Sequence, residues 1–400
     1  MEIVLVERHL IKKTHSFYSY CDNMCSKSKN IYNYANYIIR QEFINSSKWI
    51  RYNELEKQLK QHETYKSLPA QSSQQTLILL DKNWKSFFKS IKDYSKNKDK
   101  YLGRPKLPKY KKKDGKSVTV FTNQQCKIKN KLIKFPKTNL TIQTKADKLQ
   151  QVRIVPKSNH YIVEVLYKKA ITSLNLNTSN VIGIDLGLDN FATITNNIGL
   201  QPIVINGKSI KSINQYFNKK KAKLMSYVGS KGTSNRIKKL TNKRNCKVDD
   251  FMHKSSRKTI DYCIKNNIGT IVIGKNKDWK QEVNLGKINN QNFTNIPYDS
   301  FIKKLQYKAK LVGIDVILTE ESYTSKASCL NLDKMKKGIE FSGKRIKRGL
   351  YKTKNNILIN ADVNGSYNII RKVFLKDFKK DLKWERIEGV GLHPIKLNIS

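Results

Sequence analysis

The chain has 400 residues, with 79 Lys and Arg against 31 Asp and Glu, a formal net charge of +48 and a pI near 10.0. A compact fold with that imbalance repels itself unless a polyanion neutralises it, so nucleic acid is the partner that charge implies. The length suits two to three domains; Cys21, Cys25, Cys126, Cys246, Cys263 and Cys329 form no C-x-x-C pair, which excludes a zinc ribbon or thioredoxin-type motif, and neither a signal peptide nor a membrane-length apolar run is visible.

Residues 2–7 read as a strand. From Ser16 to Ile44 apolar residues recur at helical spacing, a shorter helix fits 53–62, and a third starts after Ser67 with Pro69 in its first turn. That third helix carries Leu77, Leu80, Trp84, Phe87, Phe88 and Ile91 on one side, a spacing that assigns the aromatics to core packing ahead of base stacking. Segment 96–116 is loop-like and basic. Tyr101, Arg104 and Tyr110 among its lysines make either a single-strand contact surface or part of a solvated linker. From 118 to 169 five short strands fit (118–121, 131–135, 140–143, 152–155 and 161–167), suggesting a small barrel or half-barrel that the first strand completes, with the helices inserted. After a linker at 172–180, strands fit 181–186, 191–195, 270–274 and 314–319, and helices 209–227, 234–267, 297–312 and 362–377. That order is mixed α/β around a central sheet.

An AT-rich genome inflates Lys and Asn, but it does not explain clustering. Eleven Lys and Arg with no acid lie between Lys211 and Cys246, and eleven against three acids between Lys92 and Lys116. Lys219, Lys220, Lys221, Arg236, Lys238, Lys239 and Arg244 are therefore candidate nucleic-acid contacts, and Lys254 and Arg257 candidate phosphate contacts. His253 beside them suits either a scissile-strand contact or ordinary packing. Asn289–Phe293 and Trp279 suit a polar loop.

Two aspartates carry the chemistry. Asp185 lies on an apolar strand in Gly183-Ile-Asp-Leu-Gly187, where a carboxylate needs a metal, a cation or hydrogen bonds to hold it. Asp362 opens a helix in Asp362-Val-Asn-Gly365, where the helix dipole favours a carboxylate and a simple cap would also place one. Together they match two-metal phosphodiester cleavage, in which carboxylates gather around two Mg²⁺ ions.

Leu68-Pro-Ala-Gln71, Gly103-Arg-Pro-Lys106, Gly183-Ile-Asp-Leu-Gly187, Tyr323-Thr-Ser-Lys326 and Asp362-Val-Asn-Gly365 resemble motifs of the TnpB family, the OrfB-type, transposon-encoded RNA-guided nucleases related to type V CRISPR effectors. The resemblance spans essentially the whole chain. It implies a wedge-like β-barrel (1–12 and 115–172), an inserted helical recognition domain (13–114) and a RuvC-type, RNase H-like nuclease domain (178–400). It also implies a guide RNA from the transposon end, a double-stranded DNA target read by base pairing beside a short motif, Mg²⁺ as cofactor and one monomer per guide RNA. The basic helices at about 209–246 would line the heteroduplex channel. Resemblance to a transposon protein does not make the chain the strand-transfer enzyme. A cytoplasmic, nucleoid-associated protein is the expected setting.

Two positions depart from the family. The strand ending in a catalytic Glu in most members ends here in Gly274, and the four-cysteine ribbon before Asp362 is replaced by Leu330–Asn360, so no zinc is expected and this region, at about 328–358, is a degenerate ribbon. A moved carboxylate is one reading. Glu320 and Glu321 end the strand at 314–319, and alternation favours Glu321, which shares its parity with Asp315 and Thr319; Glu320 is the substitute and Glu282 a weaker candidate. The other reading is a nuclease-dead, RNA-guided DNA-binding repressor.

Overall fold

The computed structural model describes residues 2–229, 232–276, 286–374 and 391–399. The chain divides into two compact units, Met1–Ala170 and Ile171–Ser400. Trp279 and Glu282 lie outside the described residues.

The first unit runs through strand β1 (Glu2–Ile11), helices α1 (Tyr18–Ser46), α2 (Tyr52–Leu59), α3 (Glu63–Lys66) and α4 (Ala70–Lys96), and then strands β2 (Thr119–Thr122), β3 (Lys127–Lys129), β4 (Leu132–Lys134), β5 (Thr141–Gln143), β6 (Lys148–Pro156) and β7 (Tyr161–Ala170). β1 pairs antiparallel with β7 along its whole length, from Glu2 opposite Ala170 to Ile11 opposite Tyr161, so the four helices are an insertion between sheet neighbours. The strands form two sheets, β1-β7-β6-β2 and the meander β3-β4-β5. Two of the α4 aromatics pack as their spacing predicts: Trp84 is fully buried, its indole N–H donates to Asn36 Oδ1 at 3.0 Å, and Phe88 meets it tilted as Phe43 does edge-on; Phe87 touches the Trp84 edge and, like Phe88, stays half-buried. The expected helix at 53–62 stops at Leu59 as α2, and the His62 ring, which accepts the backbone N–H of Thr64, caps the separate short helix α3.

The second unit begins with an antiparallel meander, β8 (Val181–Leu186), β9 (Asn190–Asn196) and β10 (Ile203–Asn206), followed by helices α5 (Lys208–Val228) and α6 (Asn235–Lys265). Then come β11 (Thr270–Gly274), α7 (Lys287–Thr294), α8 (Tyr298–Val312), β12 (Asp315–Thr319), the short strands β13 (Lys344–Lys347), β14 (Leu350–Lys352) and β15 (Leu358–Asn360), helix α9 (Ala361–Val373) and β16 (Ile395–Leu397). The main sheet has the order β12-β11-β8-β9-β10-β16, with β11 and β12 parallel to β8. Asn289–Phe293, expected as a loop, falls within α7.

Alternation along the strands sets the two faces of this sheet. Ile182, Ile184, Ile271 and Ile273 join the core with Phe251, Met252, Phe301 and Leu305 of α6 and α8. Val181 and Val272 join the opposite core with Tyr367, Ile369 and Ile370 of α9. Asp185 and Gly274 have the parity of Val181 and Val272, so both turn toward the face that α9 covers.

Candidate metal centre and nucleic-acid interface

Asp185 sits one residue past Ile184, and Gly274 one residue past Ile273, the partner of Ile184 across the β8–β11 pair. The two strand ends are therefore level. Helix α9 starts beside them. Its cap is Asn360, whose side-chain oxygen accepts the N–H groups of Asp362 and Val363 at 3.0 and 3.2 Å. Asp362 is thus not consumed as a cap. Its carboxylate instead accepts from Asn190 Nδ2 at 2.7 Å and pairs with Arg345 at 3.5 Å. The rest of the motif brings α9 against the strands. Asn364 bonds both ways with the 327–329 backbone, Ser366 Oγ donates to the Gly183 carbonyl at 2.9 Å, and a Cβ on Gly365 would lie 3.0 Å from Asp185 Oδ2.

Glu321 fills the space that Gly274 leaves. A Cβ built on Gly274 would stand 2.9 Å from Glu321 Oε2 and 2.6 Å from Ile369 Cδ1. The Glu321 backbone is held there: its N–H donates to Asn276 Oδ1 at 2.9 Å, and its carbonyl accepts the Thr324 hydroxyl at 2.8 Å. The Tyr323-Thr-Ser-Lys326 turn, in which Tyr323 has φ of 65°, is the element that makes this possible. Glu320 turns elsewhere, pairing with Lys372 at 2.7 Å and accepting from the Ser322 N–H.

The acids feel one another. Burial first, then Glu321 and Asp362, push the Asp185 carboxyl up to about 8. Burial first, then Glu320, push Glu321 up to about 7, against the pull of Lys372. Tyr298, whose hydroxyl donates to the Gly187 carbonyl at 2.8 Å, is held above the usual phenol range by burial and then by Asp185. Among the described residues no three His, Cys, Asp or Glu side chains are gathered closely enough to hold a metal ion. Arg345 and Asn190 hold Asp362 where it stands. In chemistry the donor set fits a hard divalent cation, since it offers carboxylate oxygens from three acids near one end of a sheet, one of them raised by burial and then by the other two.

The basic candidates divide by what they touch. Lys219, Lys220, Lys221, Arg236 and Lys239 are exposed on α5 and α6, and Lys238 is half-buried; Lys220 and Lys221 lie over the Tyr216 and Phe217 rings. Arg244 is a pin: it donates to Asn214 Oδ1 and the Asn295 carbonyl and lies over Phe217. Lys254 pairs with Asp250 and Arg257 with Asp261 along α6, and His253 stands 3.6 Å from Asp249. In the first unit the Tyr101 hydroxyl donates to Asp93 and its ring meets Tyr94, Tyr110 lies under Arg40 at 4.9 Å, and Arg104 is exposed. Sequence reasoning missed Asn190, Asn276 and Arg345 at the acidic site, and Arg348 and Lys211, which both pair with Asp189. The run Gly343-Lys-Arg-Ile-Lys-Arg-Gly349 was the available signal for the two arginines.

The ribbon region is tied by hydrogen bonds. Asp333 accepts from the Ser328 N–H, the Ser342 N–H and the Ser342 hydroxyl, while Arg371 reaches the carbonyls of Ser328 and Asp333. Tyr351, fully buried on β14, donates to the Lys326 carbonyl.

Residues 160–280 match the OrfB_IS605 family, described as a probable transposase, and residues 298–369 match the Cas12f1-like TNB domain. No curated protein matches the chain. Among solved structures, the chain is similar to Cas12f1 in a complex with sgRNA and target DNA, with a TM-score of 0.53 and 16% identity over 87% of this chain and 81% of that one. It also aligns with the mini-RNA-guided endonuclease CRISPR-Cas_phi3, with a TM-score of 0.46 and 11% identity over 92% of each chain. The likeness to Cas12f1 is one of fold. The two family matches follow one another along the chain, from the last strand of the first unit through the second, so over these residues the chain is similar to the OrfB_IS605 transposase family and to the Cas12f1-like TNB domain.

Proposed function

We propose that the chain is an RNA-guided DNA endonuclease associated with an insertion sequence, and that Asp185, Glu321 and Asp362 hold two Mg²⁺ ions in a RuvC-type site. The reading takes the second unit as an RNase H-like nuclease domain, supported by a central sheet in which a three-stranded meander is followed by two strands parallel to its first. It takes the first unit as wedge and recognition elements for a guide RNA and a double-stranded DNA target. The observation that carries it is the Glu321 carboxylate standing where a side chain from position 274 would begin, at the strand end level with Asp185.

Bound Mg²⁺ would activate a water as nucleophile and stabilise the leaving oxygen of the phosphodiester. The chain's own residues do the rest. Asp185 and Glu321 would hold the cations in their deprotonated forms, Asn190 orients Asp362, and Asn276 with Thr324 fixes Glu321. A second reading, a nuclease-dead RNA-guided DNA-binding repressor, draws on the absence of a gathered three-ligand group among the described residues and on Arg345 occupying Asp362.

Purification with co-expressed RNA, followed by incubation with plasmid libraries and Mg²⁺, separates them. Cleavage beside a fixed short motif, abolished by Asp185→Ala, is the expected result. Guide-dependent binding without cutting at any Mg²⁺ level supports the repressor, and failure of any discrete RNA to copurify overturns both.

A further inference from the structure

The basic segment after α4 is a strap fastened across α1. Asn36 Nδ2 donates to the Pro108 carbonyl at 3.0 Å, Asn33 bonds the Lys111 backbone in both directions, and Lys29 reaches the Lys113 carbonyl. Two open grooves lie along the strap. One, of about 530 Å³, has an apolar floor of Phe43, Phe87 and Ile91 beneath Arg40 and Arg104. The other, of about 350 Å³, is walled by Asn83, Ser86, Ser90 and Phe87. Lys106 and Lys109 border both. The two linings hold five cations and no carboxylate. Arg104, Lys106 and Lys109 are exposed, and among the described residues none of them is ion-paired.

We infer that these twin grooves bind unpaired nucleotides of a single-stranded RNA, with a base against Phe87 and its flanking phosphates on Arg104, Lys106 and Lys109. An occupant must be flat and apolar on one side and anionic on the other, and the lining repels no phosphate. Base–aromatic stacking beside a cationic track is the recurring solution for single strands. RNA is favoured over DNA because the smaller groove adds the Ser90 hydroxyl and the side-chain oxygens of Asn83 and Ser86, which can accept from a 2′-hydroxyl while their own donors are held by the Tyr32 hydroxyl and the Lys82 carbonyl. The tyrosines of the strap do not serve as the stacking platform, since Tyr101 is taken by Asp93 and Tyr94 and Tyr110 by Arg40. The inference deepens the guide-RNA reading by naming where unpaired RNA would be held.

Fluorescence anisotropy of the full chain, stripped of nucleic acid, with a short unpaired RNA, the same DNA sequence and an RNA duplex provides the test. Phe87→Leu keeps apolar volume against Trp84 and should weaken unpaired RNA about tenfold with the salt slope unchanged, whereas Lys106→Glu/Lys109→Glu should weaken it and lower the slope by about 2. Duplex binding should change less than about threefold in either variant. Equal losses on unpaired RNA and duplex, no loss in either variant, equal affinity for DNA, or displacement by an acidic peptide would overturn the inference. If Phe87→Leu does not fold, the exposed-lysine variant still decides it. Failure of guided cleavage leaves this binding result untouched, so the two readings fail separately.

Discussion

Gly274 has no room for a side chain unless its neighbours move, and the nearest of those neighbours are the far ends of Ile369 and Glu321. A methyl there can be absorbed by shifting flexible atoms, so Gly274→Ala should cost less than about 1 kcal/mol of stability. It should nevertheless displace the Glu321 carboxylate. We predict a fall in cleavage rate of tenfold or more with only a small change in melting temperature; the reverse pattern would make Gly274 a packing position alone. Proton linkage gives a second prediction. Asp185 is raised from 3.8 to about 8 and Glu321 from 4.5 to about 7, so between those limits the folded protein binds more protons than the unfolded chain. The stabilising contribution is complete below the ordinary values, declines as pH rises through about 7 to 8, and is gone above. In EDTA, Asp185→Asn should therefore gain on the wild type as pH rises, read as a widening melting-temperature difference that stops growing above about pH 8. A difference independent of pH would contradict it. At this scale the sequence singled out what is rare, a carboxylate on an apolar strand, and the structure shows that strand ending level with Gly274. The partners Asn190 and Asn276 were not readable, because amides abound in this chain and only the fold brings these two to the site.

Elements explain how three acids from distant segments come toward one end of the sheet. Parity on β8 and β11 turns Asp185 and Gly274 toward α9, Asn360 takes over capping so that Asp362 stays available, and the turn after β12 folds Glu321 back. The long periodic helices and the apolar strands of the second unit were legible, since burial on one face writes a regular pattern. The ribbon was not. Its strands β13, β14 and β15 are held by Asp333, Arg371 and Tyr351, and such polar knots leave no periodic trace. The β13–β14 hairpin also carries Arg345 to Asp362. Both side chains are partly open to solvent, so this ion pair adds little stability, yet it competes with any cation for the same carboxylate. We predict that Arg345→Ala lowers the Mg²⁺ concentration needed for half-maximal cleavage by a few-fold while leaving the melting temperature in EDTA nearly unchanged. A raised Mg²⁺ requirement would instead make Arg345 a support of the site.

The whole chain carries a charge of +48 and divides into two compact units, the second of which holds Asp185, Glu321 and Asp362. Composition alone implied a polyanion, the motif resemblance implied guided cleavage, and the second unit has the mixed α/β order that the strand and helix pattern predicted. How the first unit's strands divide between two sheets was not legible, since three-residue strands carry too few alternations to fix a partner. The proposed metal site turns on the Glu321 carboxylate. Mg²⁺-dependent cleavage of a guide-matched plasmid by Glu321→Gln, compared with Glu320→Gln and with each variant's guide-dependent DNA binding, tests it most directly. The account predicts cleavage reduced at least a hundredfold for Glu321→Gln and within about threefold of wild type for Glu320→Gln, with binding kept in both. Wild-type cleavage by Glu321→Gln would contradict it.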